Sequence, residues 1–169
     1  MPKYNTRERA IRAGYRSGLE LDIADQIKKF NRSAEYEPFK IPYLIPESLH
    51  TYTPDYVLAN GIIIESKGRF MLEDRKKHLF IREQHPELDI RFVFSRSGTR
   101  IRKNSKTTYA DWCRKHDFEF ADKLIPANWF KVKKNTQALT KIKEFDEKSD
   151  VKKRKWRHAD EKKRRNDGW

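Results

Sequence analysis

An aspartate, a glutamate and a lysine stand close together in the stretch Thr53–Gly68, TPDYVLANGIIIESKG. They are Asp55, Glu65 and Lys67. Two carboxylates held near each other repel, and each raises the other's pKa unless a cation lies between them. Mg²⁺ takes one or two protein carboxylates together with water and substrate phosphate. An ammonium two residues further on can meet the charge of a phosphate or of a developing hydroxide. The chemistry is that of metal-assisted phosphodiester hydrolysis. A competing reading leaves all three as solvated strand-end charges, since 38% of the chain is charged and a lone Glu-x-Lys means little. Pro54-Asp55, an apolar hairpin and then Glu65-Ser66-Lys67 form a more specific pattern.

The elements that must position these groups are two strands and a turn. Ile62, Ile63 and Ile64 are a β-branched run that ends in Glu65-Ser66-Lys67-Gly68. Side chains alternate along a strand, so Glu65 and Lys67 share a face with Ile63, and Ile64 and Ser66 take the other. A two-residue Asn60-Gly61 turn would set Asp55 opposite Ser66. A three-residue Ala59-Asn60-Gly61 loop, with Gly61 left-handed, sets it opposite Glu65, and this register is the expected one.

Upstream, Ser17-Gly18-Leu19-Glu20 opens a helix in which Leu19, Ile23, Ala24, Ile27 and Phe30 recur at helical spacing. Ser17-x-x-Glu20 has the form of a capping box, with the glutamate bonding back to the Ser17 amide. Glu20 also lies on the inward half of the helix, where a carboxylate could reach a cation at the sheet edge. Spacing alone favours the cap.

The 169 residues suffice for one domain with a core. A net charge of +14 and a pI near 9.8 imply a polyanionic partner, most simply nucleic acid. No long apolar segment or amphipathic anchor points to a membrane, and the N-terminus has no signal-peptide core. A single cysteine, Cys113, excludes an intrachain disulfide, fits a reducing compartment and reads as a packed residue in a helix. The five histidines lack zinc spacing, and no glycine-rich phosphate loop indicates a small-molecule cofactor.

Residues 1–16 are polar and carry Arg7, Arg9, Arg12 and Arg16; they read as a basic flexible arm along a nucleic-acid backbone or as a solvating tail. Residues 34–44 alternate and carry Pro38 and Pro42, as an edge strand or extended arm would. Pro42 and Pro46 make a stiff strap, able to carry the first part of the chain to another subunit or to form a plain loop. A basic helix is expected from about Asp74, its cap, to Gln84, with Arg75, Lys76, Lys77 and Arg82 on it. A strand over Asp89–Ser95 follows, then a loop holding Arg96, Arg100, Arg102, Lys103 and Lys106. These basic residues are candidate phosphate contacts. Thr108, with Asp111 as box partner, caps a helix anchored by Trp112, and residues 118–124 suggest a last edge strand. Residues 17–130 thus form the main domain, and 131–169 read as a basic C-terminal tail, a fraying helix or disordered segment that adds salt-sensitive affinity.

The run HTYTPDYVLANGIIIESKG, with EDRKKHLFIREQHPELDIRFVFS, FADKLIPANW and the upstream RSGLE and IPYLIP, resembles the endonuclease I family of T-odd podoviruses, over about residues 14–130. That family consists of Holliday-junction resolvases of the PD-(D/E)xK nuclease superfamily. The resemblance implies an α/β fold, a restriction-endonuclease-like mixed β-sheet flanked by helices, in a segment-swapped homodimer with residues 43–50 as an extended bridge. It implies that Asp55, Glu65, the Ser66 backbone carbonyl and Glu20 bind metal, two Mg²⁺ per site with Mn²⁺ able to substitute. Lys67 is the motif lysine, and Glu20, the fourth catalytic residue, would come from the other chain. This reverses the weighting between cap and catalysis at Glu20. The implied activity is cleavage of branched DNA and four-way junctions by paired nicks that leave 5′-phosphate and 3′-hydroxyl ends, in the host cytoplasm.

Overall fold

A computed structural model describes residues 6–45 and 48–149, apart from the side chain of Leu44. Its centre is a five-stranded mixed sheet. In chain order the strands are β1 (Ala34–Tyr36), β4 (Tyr56–Leu58), β5 (Ile62–Lys67), β6 (Asp89–Phe94) and β7 (Phe120–Asp122), and they lie side by side in that order. A separate two-stranded sheet pairs β2 (Ile41–Ile45) with β3 (Ser48–Tyr52). The helices are α1 (Thr6–Arg12), α2 (Gly18–Lys29), α3 (Leu72–Gln84), α4 (Tyr109–Lys115) and α5, which starts at residue 136 and reaches the end of the described residues at 149.

β4 and β5 pair antiparallel with Tyr56 opposite Ile64 and Val57 opposite Ile63. This is the three-residue loop register: the turn spans 59–61, Gly61 has φ +91, and its amide bonds the Leu58 carbonyl at 2.9 Å. β5 then runs parallel to β6, and β6 to β7, through the crossovers carried by α3 and α4.

The isoleucine run explains why β5 is central. Ile62, Ile63 and Ile64 are all buried, as a strand covered on both faces requires. Ile63 joins a core with Ile81 of α3, Trp112 and Cys113 of α4, Phe92, and Tyr52 of the hairpin. Ile62 and Ile64 join a second core with Ile23, Ala24 and Ile27 of α2. So α2 covers one face, and α3 and α4 the other.

Four local expectations are revised. Residues 6–12, read as lacking a core face, form α1, with Ala10 buried and α1 packed on α2. The segment 43–50, expected as an extended bridge, folds back in this chain as the β2–β3 hairpin, with Tyr43 opposite His50; the turn residues 46–47 lie outside the described residues. Pro42 is tolerated because this little sheet has only edges. α3 starts at Leu72, ahead of Asp74, whose carboxylate accepts from the Met71 amide at 3.1 Å. Finally, Ala138, Ile142 and Phe145 of α5 are buried in the larger core, so residues 136–149 are part of the domain. The basic runs at 152–155 and 162–165 lie outside the described residues.

Candidate active site

β5 ends with its polar residues turned alternately to the two faces. On the α3 side, the Lys67 ammonium lies 2.7 Å from Glu65 Oε1. The Tyr52 hydroxyl donates to Glu65 Oε2 at 2.6 Å. Burial, the largest single influence, would raise the Glu65 carboxyl, but the charge and hydrogen bond of Lys67 together with the nearby Lys77 hold the group below its ordinary value. Burial, again the largest single influence, opposes the Lys67 ammonium, and the charge of Glu65, its hydrogen bond, and the charges of Asp74 and Asp55 together raise its pKa. Tyr52 is pushed well up by burial and by the neighbouring carboxylate, so its hydroxyl stays a donor. The pair is therefore fully ionised and nearly enclosed, with Glu65 only 2% exposed.

Asp55 directly precedes β4, in the register that sets its backbone across from Glu65. Its carboxylate also reaches the neighbouring residue. It swings one residue along, and Oδ2 accepts from both the amide and the hydroxyl of Ser66, each at 2.7 Å. Ser66, expected to act through its carbonyl, is thus tied to the site by its amide and side chain. Burial, and then the charge of Glu65, push the Asp55 carboxyl up to about 7 despite those two bonds. A buried carboxylate so poorly compensated beside a second one calls for a cation.

The donor set fits a hard divalent ion, being all carboxylate oxygen. Among the described residues, however, no three His, Cys, Asp or Glu side chains converge on one ion position. The reason lies in the contacts just given: both Glu65 oxygens are bonded, one to Lys67 and one to Tyr52. A cation between Asp55 and Glu65 would share the Glu65 carboxylate with these two donors.

Glu20 sits at the start of α2, on the opposite face from Glu65. Ser17 is the N-cap, its hydroxyl accepting from the Glu20 amide at 3.2 Å. The reciprocal bond of the box differs from expectation, because Glu20 Oε2 accepts from the Arg16 amide at 2.8 Å, one residue beyond Ser17. The same oxygen accepts from the Tyr36 hydroxyl at 2.5 Å, and the Tyr56 hydroxyl donates to the Glu20 carbonyl at 2.7 Å. Arg16 and Tyr56 both feel the charges of Glu20 and of Asp55, which places these two carboxylates around the same groups.

The basic residues divide. Arg7, Arg9, Arg96, Arg100, Arg102, Lys103, Lys106, Arg12 and Lys76 are exposed. Arg16 is exposed and pairs with Glu37, and Lys77 sits over the Tyr52 ring and 3.8 Å from Asp74. Two candidates for phosphate contact have structural jobs instead. Arg75 is buried and donates to the Phe70 carbonyl at 2.6 Å, and Arg82 donates to the His116 carbonyl while its guanidinium covers the Phe118 ring. A basic helix reads as one-sided in sequence, but α3 turns these two toward the protein.

Sequence reasoning passed over Tyr36, Tyr52 and His78. His78 is wholly buried one turn after Asp74, with Nε2 3.8 Å from Glu65 Oε1, and burial pushes its pKa down to about 4. The i, i+4 spacing of Asp74 and His78 on a helix that follows the motif lysine was the available signal.

A model of the phage endonuclease I family matches residues 1–150. The chain is 54% identical over 129 residues to Endonuclease I of Escherichia phage T7, covering 76% of this chain and 87% of that protein. It is 53% identical over 129 residues to Endodeoxyribonuclease 1 of Enterobacteria phage T3, covering 76% of this chain and 85% of the relative.

Proposed function

The chain belongs to the phage endonuclease I family, and on that premise we propose that it is a Mg²⁺-dependent, structure-selective endodeoxyribonuclease that resolves four-way and branched DNA junctions by paired nicks. One observation carries the reading: the Glu65–Lys67 ion pair and the strained Asp55 carboxyl meet at one end of β5. Asp55, Glu65 and the Ser66 carbonyl would hold one ion, and Asp55 with Glu20 a second, with Mn²⁺ able to replace Mg²⁺. Such ions, when bound, activate water for in-line attack and steady the leaving 3′ oxygen. Lys67 would then place its ammonium against the non-bridging phosphate oxygens, where negative charge grows. Tyr52 holds Glu65 by its second oxygen. The products are a 5′-phosphate and a 3′-hydroxyl.

Two nicks on opposing strands suit a two-fold dimer. Support for an exchanged arrangement comes from connectivity. The unit of α1, α2 and β1 meets the rest of the sheet through the short β1–β4 pairing and the packing of α2 on β5, and the 41–52 hairpin is the link between them. Opening that link would let the same β1–β4 and Glu20 contacts form between two copies at little cost in buried area. Glu20 would then come from one chain, and Asp55, Glu65 and Lys67 from the other. The arm with Arg7, Arg9 and Arg12 and the loop with Arg96, Arg100, Arg102, Lys103 and Lys106 would follow the phosphate backbone, leaving bases largely unread. No helix among the described residues is long and apolar enough to cross a membrane.

The test is Mg²⁺-dependent cutting of a synthetic four-way junction beside linear duplex of the same sequence, with chain mass measured by light scattering. The junction should be nicked in preference to the duplex by a dimer, and Asp55→Ala should abolish nicking while still binding the junction. Equal cutting of duplex would point to a repair- or restriction-type nuclease. Normal cleavage by Asp55→Ala would overturn the site.

A further inference from the structure

His78 carries a buried nitrogen with no partner. Its Nδ1 lies 2.8 Å from the Asp74 carbonyl. A carbonyl only accepts, so Nδ1 holds the hydrogen and Nε2 of the neutral ring presents a lone pair. That Nε2 is buried and unbonded among the described residues, and it faces Glu65 Oε1 at 3.8 Å. The two atoms are both acceptors and cannot bond each other. The ring is also fixed: it meets Tyr52 and Phe92 edge-on at centroid distances of 5.2 and 4.9 Å. A buried acceptor left unpaired is costly, and at a functional site it marks a partner that arrives in another state.

The Lys67 ammonium shares Glu65 Oε1 with His78 Nε2 as a neighbour. It has three hydrogens and is held by Glu65 Oε1 at 2.7 Å, with Asp74 Oδ1 a looser neighbour at 3.6 Å. Asp74 is already shared: its other oxygen takes the Met71 amide, and Lys77 lies 3.8 Å away. A cation that takes Glu65 Oε1 competes with Lys67 for that oxygen, while Oε2 is held by Tyr52. A released ammonium in a nearly closed pocket needs an acceptor beside the one it leaves. His78 Nε2 and Lys67 Nζ already have the same oxygen as a common neighbour, so rotating the end of the lysine exchanges one partner for the other.

We infer that His78 is a positioning residue: its Nε2 receives a hydrogen bond from Lys67 when Glu65 turns Oε1 to a divalent cation. The inference rests on the nuclease reading. It adds that the lysine has two stations, one on Glu65 in the metal-free protein and one shared with His78 in the loaded protein. The second keeps the ammonium beside the scissile phosphate while removing it as a competitor for Glu65.

The test uses the intact protein without DNA. Mn²⁺ binding is followed by electron paramagnetic resonance for the wild type, His78→Phe, His78→Gln, Lys67→Met and the Lys67→Met/His78→Phe double variant, each checked by thermal melting. Phenylalanine keeps the ring packing and removes the acceptor; glutamine retains an acceptor of similar reach. His78→Phe should weaken Mn²⁺ binding roughly tenfold, about the value of one charge-assisted hydrogen bond, and His78→Gln should restore most of it. In the Lys67→Met background there is no ammonium to rehouse, and adding His78→Phe should change affinity by less than about twofold. A second measurement needs no His78 variant. With ¹⁵N-labelled histidine, Mg²⁺ should move the His78 Nε2 resonance upfield, in the sense of hydrogen-bond acceptance, in the wild type and not in Lys67→Met. Equal losses from His78→Phe in both backgrounds, or an Nε2 resonance that stays put while Mg²⁺ saturates the protein, would overturn the inference and leave the nuclease reading standing. No Mn²⁺ binding by the wild type would overturn both.

Discussion

Replacing Asp55 by asparagine should stabilise the metal-free protein, and the gain should depend on pH. In the folded chain the carboxyl sits near 7 against an ordinary 3.8, because burial and the Glu65 charge disfavour its ionised form. Below about pH 4 both folded and unfolded chains hold the proton, and the penalty vanishes. As pH rises the unfolded chain gives up its proton first, so stability falls until the folded group also ionises near 7, and above that the full penalty is present. The span from 3.8 to about 7 corresponds to a ceiling of roughly 4 kcal/mol. Local relaxation and water entry reduce such values, leaving about 2 kcal/mol, or ~4–8 °C in Tm for a chain of this size. Asparagine keeps an oxygen for the Ser66 amide and hydroxyl and sheds the charge. The assay is urea or thermal unfolding of wild type and Asp55→Asn in chelator, near pH 4 and at pH 8. Titrating groups that do not feel Asp55 cancel in the difference. The variant should be more stable at pH 8 and nearly level near pH 4, and Mg²⁺ should narrow the gap at pH 8 by stabilising only the wild type. An equal difference at both pH values, or a variant less stable at pH 8, would refute the claim that Asp55 is a strained, uncompensated charge.

Other perturbations follow from the same geometry. Gly61→Ala forces a side chain into a left-handed position with its Cβ 3.2 Å from Leu139 Cγ, and should cost ~2 kcal/mol in denaturant titrations. Phe145→Ala should cost about 3–5 kcal/mol, since the ring is buried in the core; a loss below ~1 kcal/mol would mean that α5 is loosely attached. Arg75→Ala should lower the melting temperature by removing the bond to the Phe70 carbonyl and leave the salt dependence of DNA binding alone. Removing Arg96, Arg100, Arg102 and Lys103 together should do the reverse, flattening the plot of log affinity against log salt by about 0.9 for each phosphate no longer neutralised.

The motif half of the site was legible because strand alternation and one turn length determine it. Given Gly61 in a left-handed turn, the Asp55–Glu65 register follows from counting residues. What counting could not reach is the direction of the Asp55 carboxylate, which is settled by two hydrogen bonds from Ser66. The edge positions of β1 and β7 were readable from prolines and short runs. α1 was missed because its buried face is a single alanine, and α5 reads in sequence as either a fraying helix or a disordered tail because Ala138, Leu139, Ile142 and Phe145 are scattered among lysines, so charge masked a regular 3.6-residue period. Arg75 and Arg82 illustrate the opposite error: two cations on a charged helix are absorbed by backbone carbonyls and rings that sequence cannot place.

α5 and the segment before it close over the turn that sets the register. The Asn135 amide bonds the Asn60 carbonyl, the Asn60 side chain bonds the Trp129 and Val132 carbonyls, and Leu139 lies against Gly61. On a ribosome, then, the hairpin bearing Asp55 and Glu65 emerges long before the residues that clamp it. The full set of contacts around that hairpin is therefore complete only when nearly all of the domain has been synthesised.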